Sequence, residues 1–203
     1  MALLDWIAPE SGLRLEGDGI YLRAPRSADY AEWRELRADS RAFLQPWEPT
    51  WPSDDLTRGA FRRRLIAYAR DRDLGVAFPF FVFRSEDAAM TGGITLSNVR
   101  RGVAQMGSVG YWCGRPFTRQ GHTLAAVRAV SEFAFRTLGL HRLEAACIPE
   151  NLASRALLRN AGFGEEGYAK AYLKINGAWR DHVLFGLTTP FRAPEGRDEG
   201  VSV

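Results

Sequence analysis

The chain has 203 residues, of which 46% are hydrophobic and 25% charged, with a formal net charge of +3. That length suits one folded domain with a substantial core. The apolar residues never run to the roughly 20 that a membrane-spanning helix needs, and so mild a charge gives no direct argument for nucleic-acid binding.

Residues 1–18 read as an irregular N-terminal arm. Gly19 to Arg23 reads as a short strand. Ser27 can cap a helix reaching about Arg41, with Tyr30, Trp33 and Leu36 on one face. The stretch Phe43-Leu44-Gln45-Pro46-Trp47-Glu48-Pro49-Thr50-Trp51-Pro52 is too rich in proline for a regular helix, so it is a rigid aromatic loop. Asp54 to Asp71 is a second helix with a strongly basic face. Phe78–Phe83, Met90–Asn98 and Met106–Cys113 read as strands of an antiparallel meander, with Gly92-Gly93 marking a bulge or close packing. A third helix runs from about Gly121 to Thr137 and stops at Gly139. His141–Ile148 is a strand, and Asn151 starts a short helix ending at Gly162. Gly164–Lys174 and Trp179–Leu187 pair as a hairpin around Asn176-Gly177. Residues 189–203, rich in Pro, Gly and charge, read as a disordered tail.

The segment Arg115-Pro116-Phe117-Thr118-Arg119-Gln120-Gly121-His122-Thr123 joins a strand to a helix start. Such a turn points backbone N–H groups outward, and the helix dipole adds positive potential, so it suits an anion. Gly121 lets the backbone approach phosphate oxygens with no Cβ in the way. Many strand-to-helix turns hold Gly and Arg, so this segment alone does not decide the ligand. Cys113 and Cys147 both fall in strands and read as small buried thiols, not a disulfide or metal pair. His122, His141 and His182 show no ligand spacing, so no metal is expected. The N-terminus has no basic start followed by a long apolar stretch, so the expected location is the cytoplasm.

Three motifs in order carry a family resemblance over about residues 19–188. The first is Thr118-Arg119-Gln120-Gly121-His122-Thr123, similar to a phosphate loop of form Gln/Arg-x-x-Gly-x-Gly/Ala, from which Thr118 and Thr123 depart. The second is Asn151-Leu152-Ala153-Ser154, closing with Ala161-Gly162-Phe163. The third is Gly167-Tyr168-Ala169-Lys170-Ala171-Tyr172 through Asn176-Gly177-Ala178-Trp179-Arg180-Asp181-His182, together with Phe43-Leu44-Gln45-Pro46-Trp47-Glu48-Pro49. They resemble the GCN5-related N-acetyltransferases (GNAT), in the RimJ/RimL branch that acts on ribosomal-protein N-termini, with the third motif similar to RimJ. The resemblance implies an α+β sandwich. Its central mixed, largely antiparallel sheet splays between the strands matching Met106–Cys113 and Arg142–Cys147, with helices on both faces.

The resemblance implies acetyl-CoA as cosubstrate. The pantetheine arm is expected in the splay, and the pyrophosphate at Thr118, Arg119, Gln120, Gly121, His122 and Thr123. Backbone N–H groups of Tyr111, Trp112 and Cys113 are expected to steady the oxyanion. Asn151 is expected at the pantetheine arm, although capping its own helix is an equal reading. Ser154 is the expected acid for the leaving thiolate, with helix capping as the alternative. Glu48 is the candidate base, since Trp47 beside it can desolvate it; the competing reading is a carboxylate paired with an arginine. Tyr168 is an alternative proton donor. Cys113 as a covalent nucleophile is disfavoured, since no His is visibly paired with it.

The expected acceptor is the N-terminal α-amino group of a protein, of the ribosomal-protein-alanine kind, attacked directly in a ternary complex. A small-molecule amine is the second enzymatic reading. A non-catalytic acyl-CoA-binding or ribosome-assembly factor is the third, kept open by Thr118 and Thr123. No membrane partner is expected, and the chain reads as a monomer or homodimer.

Overall fold

The computed structural model describes residues 12–189. An eight-stranded sheet runs β1-β2-β3-β4-β5-β6-β8-β7. Its strands are β1 (Arg14–Gly17), β2 (Ile20–Arg23), β3 (Phe78–Arg84), β4 (Met90–Arg100), β5 (Met106–Cys113), β6 (Arg142–Cys147), β7 (Gly164–Ile175) and β8 (Ala178–Thr188). Every neighbouring pair is antiparallel except β5 and β6, which run parallel. The helices are α1 (Tyr30–Asp39), α2 (Arg41–Leu44), α3 (Arg58–Asp73), α4 (His122–Glu132) and α5 (Leu152–Asn160). Among the described residues, no helix is long and apolar enough to cross a membrane.

Strand alternation divides the apolar residues between two cores. Phe80 and Val82 turn to the α4 and α5 face, joining Val127, Val130 and Leu158. Phe81 and Phe83 turn to the α1 and α3 face, joining Trp33, Leu36 and Phe61. A strand buried on both faces has no need of polar alternation, which explains the unbroken apolar run of β3.

The structure corrects the expected arm at its inner end. Arg14–Gly17 is a strand, and Gly17 pairs with Ile20 around a two-residue Asp18-Gly19 turn with Gly19 at φ 68°. Leu15 packs against the larger core while Arg14 and Glu16 form an ion pair on the other side. The Asp-Gly dipeptide was the signal for this hairpin. Residues 1–11 and the expected tail from residue 190 lie outside the described residues. The Asp54 helix start moves to Thr57, whose hydroxyl caps Ala60 N–H at 3.1 Å, because Asp54 and Asp55 pair with Arg63 and Arg64 instead. The aromatic loop opens with the single turn α2 and a 3-10 turn, Gln45–Trp47, and becomes extended at Glu48.

Close packing, not only a bulge, accounts for Gly92 and Gly93. A Cβ on Gly93 would stand 2.5 Å from Trp112 Nε1, and one on Gly92 2.3 Å from the Trp112 carbonyl. Gly93→Ala is therefore expected to destabilise the fold by about 1–3 kcal/mol, through forced displacement of a large rigid ring. Urea unfolding checks it, and an unchanged midpoint would show that Trp112 moves aside freely.

Candidate active site

The parallel pair β5 and β6 exchanges bonds only from Met106–Arg142 to Ser108–Glu144. Both strands continue past that point without pairing, so a wedge opens between them. β4 still holds the far edge of β5, and β8 holds β6 as far as Cys147–Val183. Gly114 N–H donates to the Thr91 carbonyl at 2.9 Å. Counting back by the alternation of an antiparallel ladder, Trp112 also turns its backbone groups to β4. Tyr111 and Cys113 then turn theirs into the wedge. Of the three expected backbone donors, two face the opening and Trp112 does not.

Beyond β5 the chain makes a 3-10 turn, Arg115–Phe117, tied down by Arg115 N–H donating to the buried Ser40 hydroxyl at 2.9 Å. Thr118 spends its hydroxyl on the Arg115 carbonyl and Gln120 its amide on the Pro116 carbonyl. Arg119 and Gly121 both adopt left-handed backbone, at φ 61° and 84°. Such turns gather N–H groups into an anion-binding concavity. α4 begins at His122 with Gly121 as N-cap and no side-chain cap, so its first N–H groups stay available. A Cβ at Gly121 would meet nothing within 4 Å, so the approach is open.

The His122 side chain does not join this cradle. It is 9% exposed, tilts against Phe117 and leaves Nδ1 unpartnered. Burial, then the charge of Arg84, push its pKa below the ordinary 6.5.

Across the wedge, Asn151 caps α5, its side-chain oxygen accepting from Ser154 N–H at 3.0 Å. The Ser154 hydroxyl shares a 2.7 Å hydrogen bond with the Tyr111 hydroxyl. One bond thus links the start of α5 to β5 where the strands part. Burial holds the Tyr111 hydroxyl far above the usual tyrosine range, so it keeps its proton. Burial also pushes the Cys113 and Cys147 thiols up, which disfavours a thiolate nucleophile at either.

Glu48 takes the competing reading. Its carboxylate receives both arms of the Arg37 fork at 2.7 and 2.8 Å, and Trp51 Nε1 at 2.7 Å. Three donors on two oxygens make it an anchor, and Trp47, expected to cover it, is itself exposed. Arg37 is 7% exposed along its side chain and lies against the Trp51 and Trp112 rings. The Glu48 carbonyl accepts from Asn176 N–H at 2.9 Å, while Gln45 bonds the Asn176 side chain. The 45–51 loop and the β7–β8 tip therefore meet as an arch, seated on Trp112 of β5 through Arg37 and on the β7–β8 turn at Asn176. Tyr168 donates to Asp181 at 2.7 Å, so its proton is held on the hairpin and not aimed at Ser154.

Sequence reasoning missed Arg37, the Tyr111 side chain and Asp181. Arg37 was findable: Trp33, Leu36 and Arg37 stand at i, i+3 and i+4, which puts the guanidinium on the buried stripe of α1.

Residues 20–164 match the family model described as the acetyltransferase (GNAT) domain. The chain belongs to the GNAT acetyltransferase family. It is 35% identical to the [ribosomal protein uS5]-alanine N-acetyltransferase of Escherichia coli K12, over 90% of this chain and 94% of that one. The solved structure of Mycobacterium smegmatis RimJ with CoA-disulfide superposes with a TM-score of 0.81 at 32% identity, covering 87% of this chain and 86% of that one. Ribosomal-protein-S5-alanine acetyltransferase from Vibrio fischeri gives 0.80 at 31% identity, over 87% and 96%. The chain is an acetyl-CoA-dependent N-acetyltransferase of RimJ type, and the open wedge and uncapped α4 start fit that cosubstrate.

Two measurements check this geometry. Gly121→Val is expected to weaken CoA binding at least about tenfold in calorimetry, since a β-branched residue resists left-handed backbone; unchanged affinity would remove the turn from the site. His122 has a folded-state pKa below its unfolded value, so its contribution is complete above pH 6.5 and is lost as pH falls through the lower folded value. His122→Gln is expected to flatten part of the stability loss on acidification below pH 6.5, read by urea unfolding at stepped pH; parallel curves would contradict it.

Proposed function

We propose that this enzyme acetylates the N-terminal α-amino group of a protein, of the ribosomal-protein kind, by direct attack within a ternary complex. One observation carries the reading: the carboxylate put forward as a base, Glu48, is spent on Arg37 and Trp51. An α-amino group has a pKa near 7.7–8.0 and a lysine side chain about 10.4. Near pH 7.4, deprotonation costs under about 1 kcal/mol for the first and about 4 kcal/mol for the second. A site without a committed base suits the first. The similarity to a uS5-alanine N-acetyltransferase, running nearly end to end, supports the same acceptor class.

Bound acetyl-CoA supplies a thioester carbonyl for the amine to attack. The free N–H groups of Tyr111 and Cys113 are the donors for an oxygen that gains charge in the wedge. Ser154 gives its proton to the sulfur as the carbon–sulfur bond breaks and takes one back from the solvent that receives the amine's proton. With Tyr111 donating to Ser154 Oγ, the serine proton is free to point into the wedge. The proton shed by the amine leaves through water at the arch, which needs no buried base. Asn151 fixes Ser154 by capping the same helix turn.

Incubation with acetyl-CoA and Ala- or Ser-starting peptides that also hold a lysine is expected to acetylate the α-amine and spare the lysine, by mass spectrometry. Acetylation of free small amines alone would overturn the reading. Ser154→Ala is expected to lower kcat by about 10²-fold with little change in KM, the scale of a lost proton donor. Normal turnover in that variant would remove Ser154 from catalysis.

A further inference from the structure

Past the end of β6, the β7–β8 hairpin continues alone and faces the turn leading into α5. A cavity of about 290 Å³ lies between them, lined by Pro149, Glu150, Tyr168, Trp179, Arg180 and Asp181. Pro149 and Glu150 lead directly into Asn151 and Ser154, so the groove opens beside the reacting end of the wedge.

Its chemistry runs against that of the chain. The protein as a whole is +3, yet this groove is lined by two carboxylates and one guanidinium, with the Lys170 charge reaching Asp181 from beside it. Asp181 is fixed in place: Ala171 N–H and the Tyr168 hydroxyl each donate to it at 2.7 Å. The two donors hold its carboxyl below the usual carboxylate range, so it stays charged at neutral pH. Glu150 stands 3.5 Å from Arg180, a loose pair at the surface. Trp179 is 65% exposed and Tyr168 55%. Exposed aromatic faces beside carboxylates are surroundings that attract a cation. A volume of this size holds one long side chain.

We infer that this groove receives a lysine or arginine side chain from the first few residues of the acceptor, so that the enzyme selects N-termini followed closely by a basic residue. The inference rests on the protein-acceptor reading above. The α-amine itself must be neutral to attack, and a carboxylate beside it would hold its proton on. A basic side chain further along has no such conflict. It gives the carboxylates and rings a partner while the amine reaches past them to the wedge.

The test is a set of Ala-starting peptides in which one position among residues 2–6 is lysine, arginine, norleucine or glutamate, followed by CoA release. At one of these positions, the lysine and arginine peptides are expected to show kcat/KM at least about tenfold above norleucine, carried in KM, with glutamate lowest. In Trp179→Ala and in Glu150→Gln, the ratio between basic and norleucine peptides is expected to collapse toward one. Equal KM for basic and neutral peptides in the wild type, or a preference for glutamate, would overturn the inference and leave the acceptor class standing. So would an undiminished ratio in both variants. Acetylation of none of the peptides would instead bring down the protein-acceptor reading and this inference with it.

Discussion

Two parallel strands that part in the middle of a sheet expose polar backbone where the fold would otherwise be dry. β5 and β6 do so after Ser108 and Glu144, leaving Tyr111 and Cys113 with N–H and C=O groups that no strand satisfies. An unmet buried backbone group costs about 1–3 kcal/mol. The opening survives because each strand is fastened on its other edge, β5 by the ladder from Gly92 and β6 by β8. Gly92 and Gly93 let β4 and Trp112 come close enough to make that fastening firm. An extended cosubstrate carrying its own amides is the natural filling for such a gap, and the turn at Gly121 stands at the end of the strand that lines it.

The second constraint is the route by which the distant elements reach the wedge. Arg37 is held between two indole rings and hands its fork to Glu48, whose carbonyl receives the hairpin tip at Asn176. A buried ion pair of this kind is weak evidence for stability, since desolvation offsets much of its attraction. Its geometric effect is firmer. It gives a proline-rich loop one position and, through that loop, gives the long β7–β8 hairpin a fixed end. The arch that results bounds the proposed acceptor mouth, and the same hairpin carries Tyr168, Trp179 and Asp181.

Much of this was legible in the chain. The sheet and its splay came with the family resemblance, while the local signals were Gly121 free of a side chain, Asn151 at a helix start, where capping was one of two readings, and an Asn176-Gly177 turn, whose φ values of 44° and 82° fit it. The hairpin at Asp18-Gly19 was legible too, but its four-residue strand is too short and too charged to stand out by alternation. Side-chain partners were harder to read, because they depend on elements far apart in sequence. Glu48 and Arg37 are eleven residues apart, and Tyr111 and Ser154 are forty-three apart. A carboxylate in a rigid aromatic loop looks the same in sequence whether it waits for a proton or grips a guanidinium. Only the packing of Trp51 and Trp112 around Arg37 distinguishes the two.

Amide hydrogen exchange, followed residue by residue with and without CoA, bears most directly on the open strand edge. The Tyr111 and Cys113 amides should exchange quickly in the free enzyme and slow markedly at saturating CoA, while the Trp112 amide, bonded toward β4, stays protected in both. Slow exchange of Tyr111 and Cys113 in the free enzyme, or no slowing when CoA binds, would contradict a wedge whose backbone edge is kept free for the cosubstrate.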